Sequence, residues 1–429
     1  MLKRLIAVLL TTGVLAGCAT NPVTGERELS FVGEDWERQV GQENYAPLRQ
    51  AQGGEYALDP GLVDYVQGVG QDVARHADRD LDYEFTVLNS SVPNAWALPG
   101  GKIAINRGLL TEMDSEAELA AVLGHEVVHA AARHGAQRQS QQVLLQGAVM
   151  AGGLAVGATT DRQEYATVAI LAGGIGAQLI SARYSREAER EADRFGMTYM
   201  KRAGYTPEAA VDLQETFVRI SEERGGGGGG FAQGLFASHP PSQERVENNR
   251  RILEDLGRGG DWGRERYQQQ IATVERLESA YEAHDEGREA LRDGDVATAR
   301  EKAREALEME SGEAIFHALL GDVHATEDNM TEAEEAYTAA LERDDSWFYH
   351  HLRRGMAREQ QGDLQAARED LQQSIELLPT ADGHYYLGNV QRRQGQRQEA
   401  IENYRKAAGS DTKAGERARA ALRDMGAAG

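Results

Sequence analysis

Three side chains in "LAAVLGHEVVHAAARHG" (Leu119–Gly135) have the types and spacing for metal chemistry: His125, Glu126 and His129. On a helix, residues four apart share a face with Cβ atoms about 6 Å apart, so both imidazoles can reach one ion. The intervening glutamate then lies beside the ion rather than on it, where it can take a proton from water. A catalytic zinc takes three protein ligands and keeps a further position open, so a third ligand is needed. His134 lies five residues past His129, about 140° round a continuing helix, and is expected to face away. The longer pattern with glycine three and histidine six residues on is broken, because Ala132 and Gly135 stand there. Acidic candidates gather in "SREAEREADRFG". Helical periodicity leaves Glu187, Glu189, Glu191 and Asp193 all open, at the margins of an apolar seam of Ala188, Ala192, Phe195 and Tyr199.

The elements that must position these groups are legible as patterns. Ser115 with Glu118 three residues on predicts a capping box at the start of the histidine helix. Upstream, Leu62, Val66, Val69 and Val73 recur at helical spacing, and "YEFTVLNS" and "NAWALPGGKIAINRGLL" read as strands interrupted by Pro93 and Pro99-Gly100-Gly101. The charged segment around Glu189 reads as a helix, with another from Pro207 to about Glu223. Two Ala/Gly-rich apolar stretches, 143–158 and 166–180, fall short of a comfortable span and are expected as buried helices packed through small residues. Six glycines, Gly225–Gly230, then interrupt the chain.

From about Tyr281 a repeat appears: Gly287, Gly321, Gly355 and Gly388 recur at spacings of 34, 34 and 33 residues. Each stands twelve residues before Ala299, Ala333, Ala367 or Ala400, and an apolar residue (Ala303, Tyr337, Leu371, Tyr404) follows four later. Small residues at two points let paired helices approach, and the third fills the groove. Period and positions resemble tetratricopeptide repeats, which stack into an α-solenoid, with "KAGERARAALRDMG" as the capping helix.

With 429 residues and 41% apolar side chains, the chain has core material for two or three domains. Its net charge of −23, from 46 basic and 69 acidic side chains, repels phosphate backbones and argues against nucleic acid. "MLKRLIAVLLTTGVLAGC" has two basic residues, an apolar run too short to span a membrane, and the single cysteine. Leu15-Ala16-Gly17-Cys18 resembles the bacterial lipoprotein cleavage box, which implies removal of residues 1–17 and lipidation of Cys18. With that cysteine modified no disulfide can form. In the sorting rule of such lipoproteins aspartate after the cysteine retains the protein at the inner membrane; Ala19 stands there, which favours the outer membrane.

"VPNAWALPGGKIAINRGLL", "LGHEVVHAAARHG", "YSREAEREADRFG" and "FASHPPSQERVENNR", in that order, resemble the HtpX- and CAAX-prenyl-protease-type zinc metallopeptidases, over about Asn21 to Arg250. The fold so implied is mainly α: a gluzincin-like metallopeptidase domain with a small β-sheet, followed by the α-solenoid. The domain reading is 1–17 signal peptide, 18–255 metallopeptidase, 256–280 linker helix and 281–425 repeats with cap. The resemblance makes Glu189 the third zinc ligand, one Zn2+ per chain, and puts Asp193 one turn on, within reach of a ligand imidazole. It makes His239 either a further ligand that holds the site idle or a group steadying the oxyanion, on a gate hinged over Gly225–Ser238. Asn94, Ala95, Trp96 and Ala97 become a sheet edge that binds substrate by strand addition. The implied function is a lipid-anchored periplasmic endopeptidase at the outer membrane, acting on unfolded or misassembled envelope proteins, its repeats docking substrate or the outer-membrane barrel assembly machinery. The alternative is a lipid-anchored repeat scaffold or chaperone with a latent metal site.

Overall fold

The computed structural model describes residues 18–152, 180, 183–223 and 234–427. The signal segment, the glycine run, residues 153–158 of the first Ala/Gly-rich stretch and all of the second but Ile180 lie outside the described residues, and no described helix is long and apolar enough to cross a membrane.

The polar segment after the cysteine folds as a hairpin and a helix. Strands β1 (Cys18–Thr20) and β2 (Arg27–Leu29) pair antiparallel, and α1 (Glu34–Ala51) follows. The apolar face of α1 is sparse, which hides it from a periodicity reading: its only buried apolar side chains are Val40, Tyr45 and Leu48, against Leu88, Trp96 and Leu98 of the sheet. Helix α2 (Pro60–Ala74) starts on Asp59, whose carboxylate accepts the Leu62 N–H, and buries Leu62, Val66, Val69 and Val73. Its Gly70 admits the Phe85 ring, to which a Cβ would come within 2.5 Å.

Strands β3 (Glu84–Leu88), β4 (Ala95–Leu98) and β5 (Lys102–Asn106) form one sheet in the order β3-β5-β4, with β3 parallel and β4 antiparallel to the central strand. Gly100 and Gly101, at φ +86° and +90°, make the turn between β4 and β5. After the short helix α3 (Arg107–Leu110), the central helix α4 (Glu116–Ala131) runs almost wholly buried beneath the sheet. Ser115 caps it through the Glu118 N–H. Glu118 reaches back one residue farther than a capping box requires and accepts the Asp114 N–H at 2.5 Å.

Helices α5 (His134–Gly152), α6 (Arg186–Arg202), α7 (Glu208–Glu223), α8 (Leu235–Ser238) and α9 (Gln243–Leu256) complete this unit. The contact that matters most is α4 on α6. A Cβ on Gly196 would stand 2.9 Å from the His125 nitrogen, and one on Gly124 would stand 3.1 Å from the Gly196 oxygen. Two glycines therefore set the separation of the histidine helix from the acidic helix.

Helix α10 (Arg264–Arg276) is packed rather than free: Tyr267 is fully buried and donates to the Leu110 oxygen, and Arg266 forks onto Glu116. The repeats follow as helix pairs α11–α12 (Glu278–Asp293, Val296–Met309), α13–α14 (Ala314–Thr326, Met330–Leu341), α15–α16 (Phe348–Gln361, Leu364–Leu377) and α17–α18 (Ala381–Arg393, Arg397–Ala408), with α19 (Lys413–Asp424) last. Their glycines do what the spacing implies. A Cβ on Gly321, Gly355 or Gly388 would fall 2.5, 2.9 or 2.8 Å from Tyr337, Leu371 or Tyr404. In the first unit Ala303 is too short, and the space over Gly287 is taken by Leu319 instead, at 2.9 Å. Gly321→Val should destabilise the protein by about 1–3 kcal/mol, because overpacking outweighs the small helix-propensity gain over glycine; urea titration measures it.

The repeats share a core with the first unit. Trp347 stacks on Gly54 and donates its indole N–H to the Gln50 oxygen at 2.9 Å. Tyr281 donates to Glu313 at 2.7 Å, and the Arg107 guanidinium lies over the Tyr281 ring.

Candidate metal centre

Helix α4 presents His125 and His129 on one face, their Nε2 atoms 3.0 Å apart. Across the glycine contact, α6 contributes Glu189, with Oε1 3.5 Å from His129 Nε2 and Oε2 3.6 Å from His125 Nε2. After α8 the chain brings in His239, whose Nδ1 lies 3.2 Å from His125 Nε2 and 2.9 Å from Glu189 Oε1. One donor atom from each of the four falls within 4.8 Å of the rest, the sole such grouping among the described residues. Donors about 2.0–2.1 Å from a tetrahedral ion stand roughly 3.3 Å from each other, so the spacing fits zinc, and imidazole with carboxylate is a zinc donor set.

The acidic cluster sorts itself by burial. Glu187 is exposed, Glu189 is 4% and Asp193 8% exposed, and Glu191 turns to the opposite side of His129, toward His134. Asp193 Oδ1 lies 3.1 Å from His125 Nδ1, so that nitrogen carries the proton and Nε2 keeps its lone pair. Asp193 is itself gripped by Arg245 of α9, through Nε at 2.9 Å and Nη2 at 2.6 Å, and Arg245 Nη1 reaches Glu189 Oε2 at 2.8 Å. Tyr184 stacks on His129 with ring centroids 3.8 Å apart.

Burial and neighbouring charges together set the protonation of these groups. It holds the His129 imidazole well below its usual range, and so neutral. Burial opposes the charge on Glu189, but His239 and Arg245 overcome it and hold the carboxyl well below the usual range. For Asp193 burial likewise opposes ionisation and Arg245 outweighs it. Burial pushes the Glu126 carboxyl up. Glu126 is 1% exposed, its Oε2 has no hydrogen-bond partner, and its Oε1 stands 3.5 Å from His239 Nε2. It lies beside the donor set without belonging to it. An unpartnered buried oxygen suits a base awaiting a solvent proton.

A small cavity of about 50 Å³ adjoins His125 and Glu126, walled by Ala210, Leu213, Phe217 and Leu235. Strand β4, which carries Ala95–Ala97, is a sheet edge. Asn94 accepts from Asn106 across the pair, so alternation turns the peptide groups of Ala95 and Ala97 outward. The Trp96 indole packs in the core with Tyr45 and donates to Gln52, so any recognition here is by backbone. Pro93, just before this strand, accepts the Leu235 N–H at 3.0 Å, tying the edge to the segment that ends in His239.

One expectation is overturned. His134 does not face away: its Nδ1 lies 2.7 Å from His129 Nδ1. The 140° argument assumed a continuous helix, whereas α4 ends at Ala131 and Arg133 takes φ +64°, which folds the next residue back. Sequence reasoning also passed over Arg245 and Tyr184. Arg245 lay in plain view in "SHPPSQER", but nothing in its spacing marks an arginine two elements away as a partner of Asp193.

Residues 62–252 match the family described as Peptidase family M48, and residues 284–346 and 352–424 match Tetratricopeptide repeat. The chain is 32% identical to Metalloprotease YcaL of Escherichia coli over 39% of this chain and 60% of that one. It is 29% identical to the Beta-barrel assembly-enhancing protease of Yersinia pestis, over 49% of this chain and 45% of that one. It is 28% identical to Mitochondrial metalloendopeptidase OMA1 of Schizosaccharomyces pombe, over 52% and 63%. The chain thus spans less than two thirds of the length of each of these relatives. The matched block 62–252 encloses all four donors and Glu126, and the chain carries a Peptidase family M48 domain followed by tetratricopeptide repeats.

Proposed function

We propose that this chain is a zinc endopeptidase of the bacterial envelope, anchored to the periplasmic side of the outer membrane through lipidated Cys18. Its substrates are unfolded or misassembled envelope proteins, and its repeats dock substrate or the barrel assembly machinery. The observation that carries the catalytic part is the donor set His125, His129, Glu189 and His239 with Glu126 beside it. The envelope assignment is supported by the lipoprotein-like leader and by the name of the Yersinia relative.

His125, His129 and Glu189 would hold the ion, one per chain. When bound, it supplies Lewis-acid chemistry at the scissile carbonyl. The chain's own residues do the rest. Glu126 accepts the proton of the attacking water and passes it to the leaving nitrogen. Asp193 and Arg245 fix the His125 ring. The outward peptide groups of Ala95 and Ala97 take an extended substrate as an added strand, which reads backbone and so suits unfolded chains.

His239 Nδ1 stands 3.2 Å from His125 Nε2 and 2.9 Å from Glu189 Oε1, and as a fourth ligand it would leave no place for water, which favours a resting role for this loop histidine. His239→Ala should therefore raise basal cleavage of an unfolded β-barrel protein while zinc stays bound; unchanged cleavage would remove the gate from the account. The same closed set supports a second reading, a repeat scaffold whose metal site is latent. Glu126→Gln separates the two, since a scaffold keeps its function in cells without the base.

A further inference from the structure

On the side of His129 away from the ion site, a chain of polar side chains runs to the N-terminal hairpin. His129 Nδ1 meets His134 Nδ1 at 2.7 Å; His134 Nε2, on a ring 3% exposed, lies 3.5 Å from Glu191 Oε1 and has no hydrogen-bond partner. Glu191 Oε1 accepts from Asn21 Nδ2 at 2.8 Å, and the same amide nitrogen reaches Glu28 Oε1 at 3.0 Å. Asn21 is 1% exposed, and its Oδ1 accepts the N–H groups of Val23 and Thr24 at the hairpin turn. Glu28 is in turn bound by Gln137 of α5.

Two imidazole nitrogens at 2.7 Å share one proton, so one Nδ1 is the donor and the other the acceptor. If His129 gives its Nε2 lone pair to the ion, its proton sits on Nδ1 and is donated to His134. His134 then carries its own proton on Nε2, facing the Glu191 carboxylate. This tautomer pair makes the Nδ1–Nδ1 bond and turns the His134 Nε2 proton toward Glu191, 3.5 Å away and short of a hydrogen bond. The turn that allows this is held in place: Arg133, in the left-handed region, bonds both Glu37 oxygens at 3.1 and 3.2 Å and the Val32 oxygen at 2.9 Å. Glu37 is 1% exposed and is also paired with Arg79 at 2.7 Å.

We propose that His134 is a positioning residue for the metal centre: with Glu191 and the hairpin residue Asn21 it fixes the tautomer and ring orientation of His129. His125 has its own orienting carboxylate in Asp193; His129 has a histidine in that place, and the N-terminal hairpin stands behind it. This rests on the metal-centre reading above.

The test measures Zn2+ affinity by chelator competition, and the Co2+ absorption spectrum, for full-length protein. His134→Leu removes the acceptor, whereas His134→Asn offers a side-chain oxygen where Nδ1 stood. Affinity should fall by about 10–100-fold in the leucine variant with an altered Co2+ spectrum, and the asparagine variant should recover most of the loss. Asn21→Ala should shift affinity the same way by a smaller factor, and no change would take the hairpin out of the chain. Melting of the metal-free proteins separates packing from orientation: asparagine no better than leucine, or leucine with wild-type affinity and spectrum, overturns the proposal. Wild-type protein that takes up no metal would instead sink the metal-centre reading itself.

Discussion

Glu126→Gln should lower cleavage of an unfolded envelope protein by about 10²–10⁴-fold, the span over which a positioned general base contributes. Metal content should not change, because Glu126 stands outside the donor set. Glutamine keeps the shape of the side chain and cannot take a proton. The native carboxyl is well placed as a base. Burial raises it from its ordinary range, so it binds a proton more readily, and Oε2 has no competing partner. Initial rates alongside zinc content read both halves. Undiminished cleavage would reassign the base.

Arg245→Ala should destabilise the protein by about 3–5 kcal/mol, the usual cost of stripping one partner from a buried ion pair. Its side chain is only 11% exposed and sits between two buried carboxylates, Asp193 and Glu189. Without it Glu189 keeps only His239 against the cost of its burial and Asp193 only His125, and Asp193 loses the fork that aims it at His125. Asp193→Asn added to Arg245→Ala should recover part of the loss, since it removes one of the stranded charges. Urea titration of the metal-free single and double variants measures both. A single variant within about 0.5 kcal/mol of wild type, as for an ordinary surface change, would mean that solvent already screens the pair.

Much of this centre was legible because its chemistry is local. The His125–His129 spacing needs only a helix, and the capping serine, the valine stripe of α2 and the repeat glycines all act on neighbours within a few turns. The choice among Glu187, Glu189, Glu191 and Asp193 was different in kind. It depends on the rotation of α6 against α4, set by Gly124 and Gly196, and no period within either helix encodes that angle. Resemblance pointed to Glu189, and the structure puts its carboxylate among the imidazoles while Glu191 serves the other side of His129. His134 was misread for a backbone reason: a left-handed arginine ended the helix, and a non-glycine residue at positive φ leaves no mark in a sequence. The helix α1 was missed because three buried apolar side chains in eighteen residues do not make a visible stripe.

The central claim is a single ion held jointly by α4 and α6, and elemental analysis of purified wild type beside Glu189→Ala tests it most directly. The account predicts one zinc per wild-type chain and a sub-stoichiometric variant that loses its metal to a mild chelator. Wild type free of transition metal, or a variant that holds zinc as firmly as wild type, would contradict it.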